Sequence, residues 1–254
     1  MARILIGIPS TRDYAPFRES LPVFLEDLKK KHSIRVFEVK DKNRDRAREE
    51  IANNFLLGIE DYLLFLDDDH SGHKAEMVDA LLKPDEMFVS MKCYARHFPY
   101  QLTTCSADKA FQDGSNLTVL KQIKGYSPCH FAGFGMALIK KEAFLKIDAP
   151  FFQCDKLGEK EDSYFCKKLL EKGIQPIGCF DYTLTHDGID ESTILETRQD
   201  GYKKFVSKQH RKELFRRCVN SMDKNNVKIP DAQRELIEAM DVALNYEVVQ
   251  TRSR

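Results

Sequence analysis

The chain carries no excess charge of either sign: 40 Lys and Arg stand against 40 Asp and Glu in 254 residues. That excludes a global field as the means of attracting nucleic acid or acidic lipid. Long apolar runs are missing too. The N-terminal run, Ile4 to Ile8, is five residues long before Pro9, too short for a signal-peptide core, and no later run could cross a bilayer. The seven cysteines form no C-x-x-C pair, so neither a disulfide framework nor a paired-cysteine zinc site is indicated. Repeats and low-complexity tracts are absent. The expectation is a soluble protein of a reducing cytoplasm, with enough apolar residues for a sizeable core.

What is present alternates. "RILIGIP" (3–9) reads as a buried strand, and "FRESLPVFLEDLKKKH" (17–32) has apolar residues at helical spacing with a basic last turn. "IRVFEVK" (34–40) is a β-branched strand. "DRAREEIANNFLLGI" (45–59) is helical, with Gly58 as its C-cap. "YLLFL" (62–66) is a further strand, Ser71 is placed to N-cap a helix over "HKAEMVDALL", and "MFVSMK" (87–92) is another strand. Strand–helix alternation of this length implies right-handed crossovers and a mainly parallel sheet covered on both faces. From Cys93 to Ser127 the pattern weakens into an irregular or antiparallel insertion. "FGMALIKKEAFLKI" then gives strand and short helix, "EDSYFCKKLLEK" a helix, and "IQPIGCF" a strand. Beyond His186 the sequence becomes charged and helical. The reading is two parts: an α/β domain over 1–190 and a helical C-terminal extension over 191–254.

One stretch carries chemistry. "YLLFLDDDHSGH" (62–73) runs five core residues straight into three carboxylates and a histidine. Ligands of open α/β sheets bind outside the carboxyl ends of the strands, and adjacent carboxylates repel unless a cation neutralises them. A divalent-metal site facing a phosphate-bearing ligand explains the cluster. A solvated acidic turn explains it as well. Two further elements bear on that choice. "GEKEDSYFCKKLLEKG" sets Glu161 and Asp162 in a helix's first turn, where the dipole favours carboxylates, and "YTLTHDG" sets His186 just after a strand, where an imidazole could complete a metal site.

Taken in order, "LLFLDDDH", "GFGMALIKKEAF", "GEKEDSYFCKKLLEKG" and "THDG" resemble the nucleotide-sugar-dependent GT-A glycosyltransferases, of the inverting, family-two-like kind, over roughly residues 3 to 188. The resemblance implies a GT-A (Rossmann-like) α/β fold and a sugar moved from a nucleoside-diphosphate sugar, UDP-linked before other nucleosides, to an acceptor hydroxyl. It implies Asp69 and His186 as ligands of Mn²⁺ or Mg²⁺, with Asp67 near the metal or the ribose. Asp162 becomes the general base and Glu161 its aid in acceptor contact. Pro9, Ser10, Glu38, Arg48, Asp67 and Asp68 fall on the donor-nucleotide side, and Gly133 and Gly135 on the acceptor side. "RDRARE" resembles the family's Ala-Arg-Asn element, with Glu49 in place of Asn. The second strand runs on into "EVKDKN", not the usual Asp-Asp-Gly-Ser turn.

Rivals exist. A haloacid-dehalogenase-like phosphatase would use Asp67 as nucleophile and Asp69 as acid, but its motif ends a domain's first strand, and two strand–helix units precede this one. A nucleotidylyltransferase would need a glycine-rich loop after the first strand. A non-catalytic nucleotide- or sugar-binding module fits if the acids are merely solvated. "RQDGYKKFVSKQHRKELFRR" (198–217) has eight basic residues against two acids. It reads as a solvated helix face, a homo-oligomer contact, or a dock for an acidic acceptor such as nucleic acid or a glycan. Cys129-His130 reads as core packing.

Overall fold

A computed structural model describes residues 1–11, 13–94, 104–106, 124–154 and 160–186. The basic stretch and the 191–254 extension lie outside these residues. Strands β1 (Arg3–Ser10), β2 (Ser33–Lys40), β3 (Tyr62–Leu66), β5 (Phe88–Lys92), β6 (Thr104–Ser106), β7 (Tyr126–Ala132), β8 (Met136–Lys140) and β9 (Ile177–Thr183) form one sheet in the order β2-β1-β3-β8-β5-β9-β7-β6. β1 pairs in parallel with β2 and β3, and β5 with β9. β8 runs antiparallel between β3 and β5, and β7 antiparallel beside β9 and β6. Most strands therefore share one direction and two oppose it, giving a mixed, Rossmann-like α/β sheet flanked by helices. A two-stranded antiparallel bridge joins β4 (His70–Ser71) to β10 (Thr185–His186), with His70 opposite His186.

Alternation along the strands divides the core into two faces. Leu5, Leu63 and Phe65 point to the side of α2 (Arg44–Leu57), with Ile51 and Phe55. Ile4, Ile6, Ile8, Leu64 and Leu66 point to the side of α1 (Ala15–Lys29) and α3 (Ala75–Leu82), with Phe17, Leu28, Val78 and Leu81. Strands buried on both faces must be apolar at consecutive positions, as β1 and β3 are. Gly7 lets α2 approach: a Cβ there would stand 2.4 Å from Ile51 Cγ2. The short α4 (Lys141–Leu145) follows β8, and α5 (Glu161–Glu171) precedes β9.

Local expectation and fold part company at Ser71. It caps no helix: its backbone pairs with Thr185, Gly72 follows with φ +80°, and α3 begins at Ala75 with Lys74 as its N-cap. A serine before a helical pattern is a cap only while its backbone is free, and a strand 114 residues later in the chain, out of local view, had already taken it (185 − 71). In the stretch from Cys93 to Ser127, expected to be irregular or antiparallel, β6 pairs antiparallel with β7, with a register shift between Cys105 and Ser106.

The turn into α3 buries His73 against Phe17 and Phe24, with ring centroids 5.8 and 5.7 Å apart. Burial pushes its pKa down from 6.5 to about 3. The unfolded chain binds a proton there below the higher value and the folded chain only below the lower one. Stability is therefore lost as pH falls from 6.5 towards 3, by at most about 1.4 kcal/mol per pH unit. We expect His73→Leu to flatten this acid limb. Urea midpoints at pH 7 and pH 5 should show the variant losing less stability than the wild type on acidification, by up to about 2 kcal/mol.

Candidate active site

The carboxyl ends of β1, β2, β3, β5 and β9 reach the same sheet edge. β8 runs the other way, so its entry loop, Gly133–Gly135, arrives there too: Met136 pairs with Leu66, and Asp67 N–H donates to the Gly135 carbonyl at 3.3 Å. At this edge opens a cavity of about 660 Å³, lined among others by Arg44, Arg48, Asp67, Asp69, His70, Gly133, Gly135, Glu161, Asp162 and His186. Strand ends, the first turns of α2 and α5 and a reversed strand's entry loop thus place residues from five separate stretches of sequence around one space.

Its deepest member is Arg48, 1% exposed. The guanidinium donates to Asp67 Oδ1 at 2.6 Å and to Glu161 Oε1 at 2.5 Å. Its carbon lies 4.7 Å from the centroid of the Phe134 ring, a cation–π contact on top of an aromatic floor that includes Phe65, Phe152 and Phe165. Arg48 was expected to touch the nucleotide. Its terminal nitrogens are instead occupied by two buried carboxylates, so it joins the end of β3 to the start of α5. Its neighbour Glu49 turns elsewhere: Oε2 accepts the N–H groups of Phe151 and Phe152 at 2.7 and 2.9 Å. The departure from Ala-Arg-Asn thus ties α2 to the segment after α4.

The three aspartates at the end of β3 have three different environments. Asp67, expected near the metal, faces Arg48. Asp68, expected at the nucleotide, is fully buried and its Oδ2 accepts the Thr11 N–H at 2.7 Å, with the Ser10 hydroxyl at 3.4 Å. That stitches the ends of β1 and β3 together. Asp69 meets imidazoles: Oδ1 is 2.8 Å from His70 Nδ1 and Oδ2 is 3.5 Å from His186 Nε2. Arg44, one helical turn before Arg48, brings a nitrogen to 3.4 Å of Asp69 Oδ2. Burial alone would raise the Asp69 pKa, but His186, His70 and Arg44 outweigh it and hold the carboxyl well below the usual carboxylate range. Arg44's own pKa is raised, first by Asp67.

Asp69, His70 and His186 form a group able to hold a metal ion. The donor chemistry fits: His186 Nδ1 lies 2.7 Å from the Tyr94 carbonyl, so it donates there and leaves Nε2 as the lone-pair nitrogen facing Asp69. His70 stacks on His186, with centroids 4.1 Å apart and planes 17° apart. Asp67 stands outside this group. The sequence reading gave no role to His70 or Arg44, although both were signalled. His70 directly follows the acids, and Arg44 is four residues before Arg48, on the same helix face.

The first turn of α5 supplies the last two acids. Glu161 is buried against Arg48, and its Oε2 lies 3.5 Å from Cys154 Sγ. Asp162 lines the cavity, and its pKa is raised: burial is the main cause, opposed by Arg48 and reinforced by Glu161. Burial therefore outweighs the Arg48 charge and the Ser163 N–H there. Of the other expected residues, Gly133 and Gly135 line the cavity and Pro9, Ser10 and Glu38 do not. Ser10 and Glu38 instead take the Arg18 guanidinium at 2.5 and 2.6 Å, and Thr11 and the 41–44 turn line the cavity beside them.

No protein-family model and no curated protein matches this chain. Among solved structures it is similar to the viral protein A197 from STIV, with a TM-score of 0.50 and 21% identity over 75% of this chain and 87% of that one. A likeness at that identity speaks to the fold alone, a mixed α/β sheet flanked by helices.

Removing Arg48 would leave two buried carboxylates facing each other. Breaking a buried pair in this way costs about 3–5 kcal/mol, so Arg48→Met should lower the urea midpoint steeply. Arg48→Lys keeps the charge without the two-pronged geometry and should cost less; circular dichroism during denaturation measures both.

Proposed function

We propose that the chain is a metal-dependent glycosyltransferase that moves a sugar from a nucleoside-diphosphate sugar to an acceptor hydroxyl with inversion at the anomeric carbon. The observation that carries this reading is one cavity holding both a metal-capable Asp69–His70–His186 group and, at Asp162, a carboxylate with a raised pKa. Asp69 and His186 would hold Mn²⁺ or Mg²⁺. When bound, such an ion supplies Lewis-acid stabilisation of the departing diphosphate's charge.

The chain's own residues do the rest. Asp162 takes the proton of the acceptor hydroxyl as that oxygen bonds to the anomeric carbon and the bond to the diphosphate oxygen breaks. Burial suits it to the task, because a base works best with a pKa nearer the working pH. Arg48 and Glu161 fix the start of α5, and so the position of Asp162. Arg44, Lys42 and Lys160 on the cavity wall supply positive charge for phosphate. UDP is the first nucleotide to test. The acceptor is a glycan, or nucleic acid recruited by residues 198–217, in a cytoplasmic setting; that stretch is also the candidate homo-oligomer contact. A phosphatase mechanism through Asp67 is disfavoured, because that carboxylate is buried and held by Arg48.

Native-state ligands raise apparent stability by mass action. A thermal-shift panel of UDP, GDP, CDP and dTDP, with and without Mn²⁺, should give a melting-temperature rise that needs both one nucleotide and the metal, and Asp69→Asn should abolish it. No rise with any pair would overturn the donor reading.

With the donor identified, kcat/KM for transfer should fall as pH drops through the raised Asp162 pKa. This acid limb should lie above the ordinary aspartate value, near 3.8. Asp162→Asn should cut kcat by about 10²–10⁴-fold while sparing the nucleotide-dependent thermal shift. An unchanged kcat would remove Asp162 from the role of base.

A further inference from the structure

We infer that His70 is a third protein ligand, so that two imidazoles and one carboxylate retain a first-row transition-metal ion before any nucleotide arrives. The inference deepens the metal-dependent reading above and is independent of its sugar chemistry.

The spacing supports it. Donor atoms bonded to one ion at about 2.1 Å lie roughly 3 to 3.4 Å from one another. The separations here are 2.8 Å from Asp69 Oδ1 to His70 Nδ1 and 3.5 Å from Asp69 Oδ2 to His186 Nε2, and the group's ligand atoms all fall within 4.8 Å. Each ring is also fixed from behind. His186 is oriented by the Tyr94 carbonyl, the backing that metal-bound histidines ordinarily have. His70 is held opposite His186 by the β4–β10 bridge and by ring stacking. Its far side rests on Gly135, where a Cβ would stand 2.6 Å from Nε2.

His70 is 3% exposed, and its Nε2 has no hydrogen-bond partner among the described residues. Nδ1, which faces Asp69, is the nitrogen that would meet an ion shared with Asp69 and His186. The donor set also narrows the choice of ion. Oxygen-only sites suit Mg²⁺, whereas imidazole nitrogens shift preference towards first-row transition metals. Three protein ligands leave positions open for phosphate oxygens.

The test uses the full-length, metal-stripped chain with Mn²⁺ alone. Pulsed electron paramagnetic resonance of the bound ion should detect two histidine nitrogens without nucleotide, and a hundredfold excess of Mg²⁺ should not displace it. His70→Ala should weaken Mn²⁺ binding at least tenfold. Gly135→Ala keeps every ligand but crowds the His70 ring, and it should weaken binding too.

A single coupled nitrogen, Mn²⁺ binding only when a nucleotide is present, or unchanged affinity in His70→Ala would each overturn the inference. If His70→Ala does not fold, the nitrogen count on the wild type decides alone. Two nitrogens with no nucleotide binding would refute the donor reading and leave this inference standing. One nitrogen with nucleotide binding would do the reverse.

Discussion

The Arg48 guanidinium, buried on an aromatic floor between Asp67 and Glu161, lets an edge of the sheet carry five carboxylates at once. Like charges at that density would raise one another's pKa and drive the strand end apart from the helix start. A desolvated cation between them converts repulsion into attachment. It works only while both partners are present, because a buried ion left alone is far costlier than the pair. The position of α5, and with it Asp162, depends on that arrangement.

The five acids then differ by what answers each. Asp67 and Glu161 share Arg48. Asp68 is absorbed by the backbone of Thr11, and Asp69 by two histidines and Arg44. Asp162 has no ion pair among the described residues, and burial raises its pKa. Sorting acids by partner separates the carboxylates that tie elements together from the metal-capable Asp69 and from Asp162, which no cation answers directly. A count of acids in the motif would not have done so.

Much of this was legible in the sequence because the informative features are local. The apolar run of β3 ending in "DDDH", and acids opening a helix, are patterns that short stretches of chain can express, and both lie at the cavity. What local pattern could not express was partnership. Arg48 finds Glu161 113 residues away, so a guanidinium expected to meet phosphate is already engaged. Ser71 carried a cap signal that β10 overrode. His70 was hidden by its neighbours: beside three aspartates, a histidine reads as an afterthought until the bridge sets it opposite His186. Glu49 departed from a family pattern, and the backbone amides of Phe151 and Phe152 explain why.

The sheet order has a temporal side. β8 inserts between β3 and β5, and the β4–β10 bridge closes with residues Thr185–His186. Contacts of such long sequence separation form slowly. During synthesis, β1, β2 and β3 with their helices can assemble while the acids at the end of β3 still lack Glu161's helix and His186. The nascent chain thus spends a period with its most strongly repelling segment only half compensated. His186 leaves the ribosome long after His70, so the metal-capable group is complete only once β4 and β10 have met.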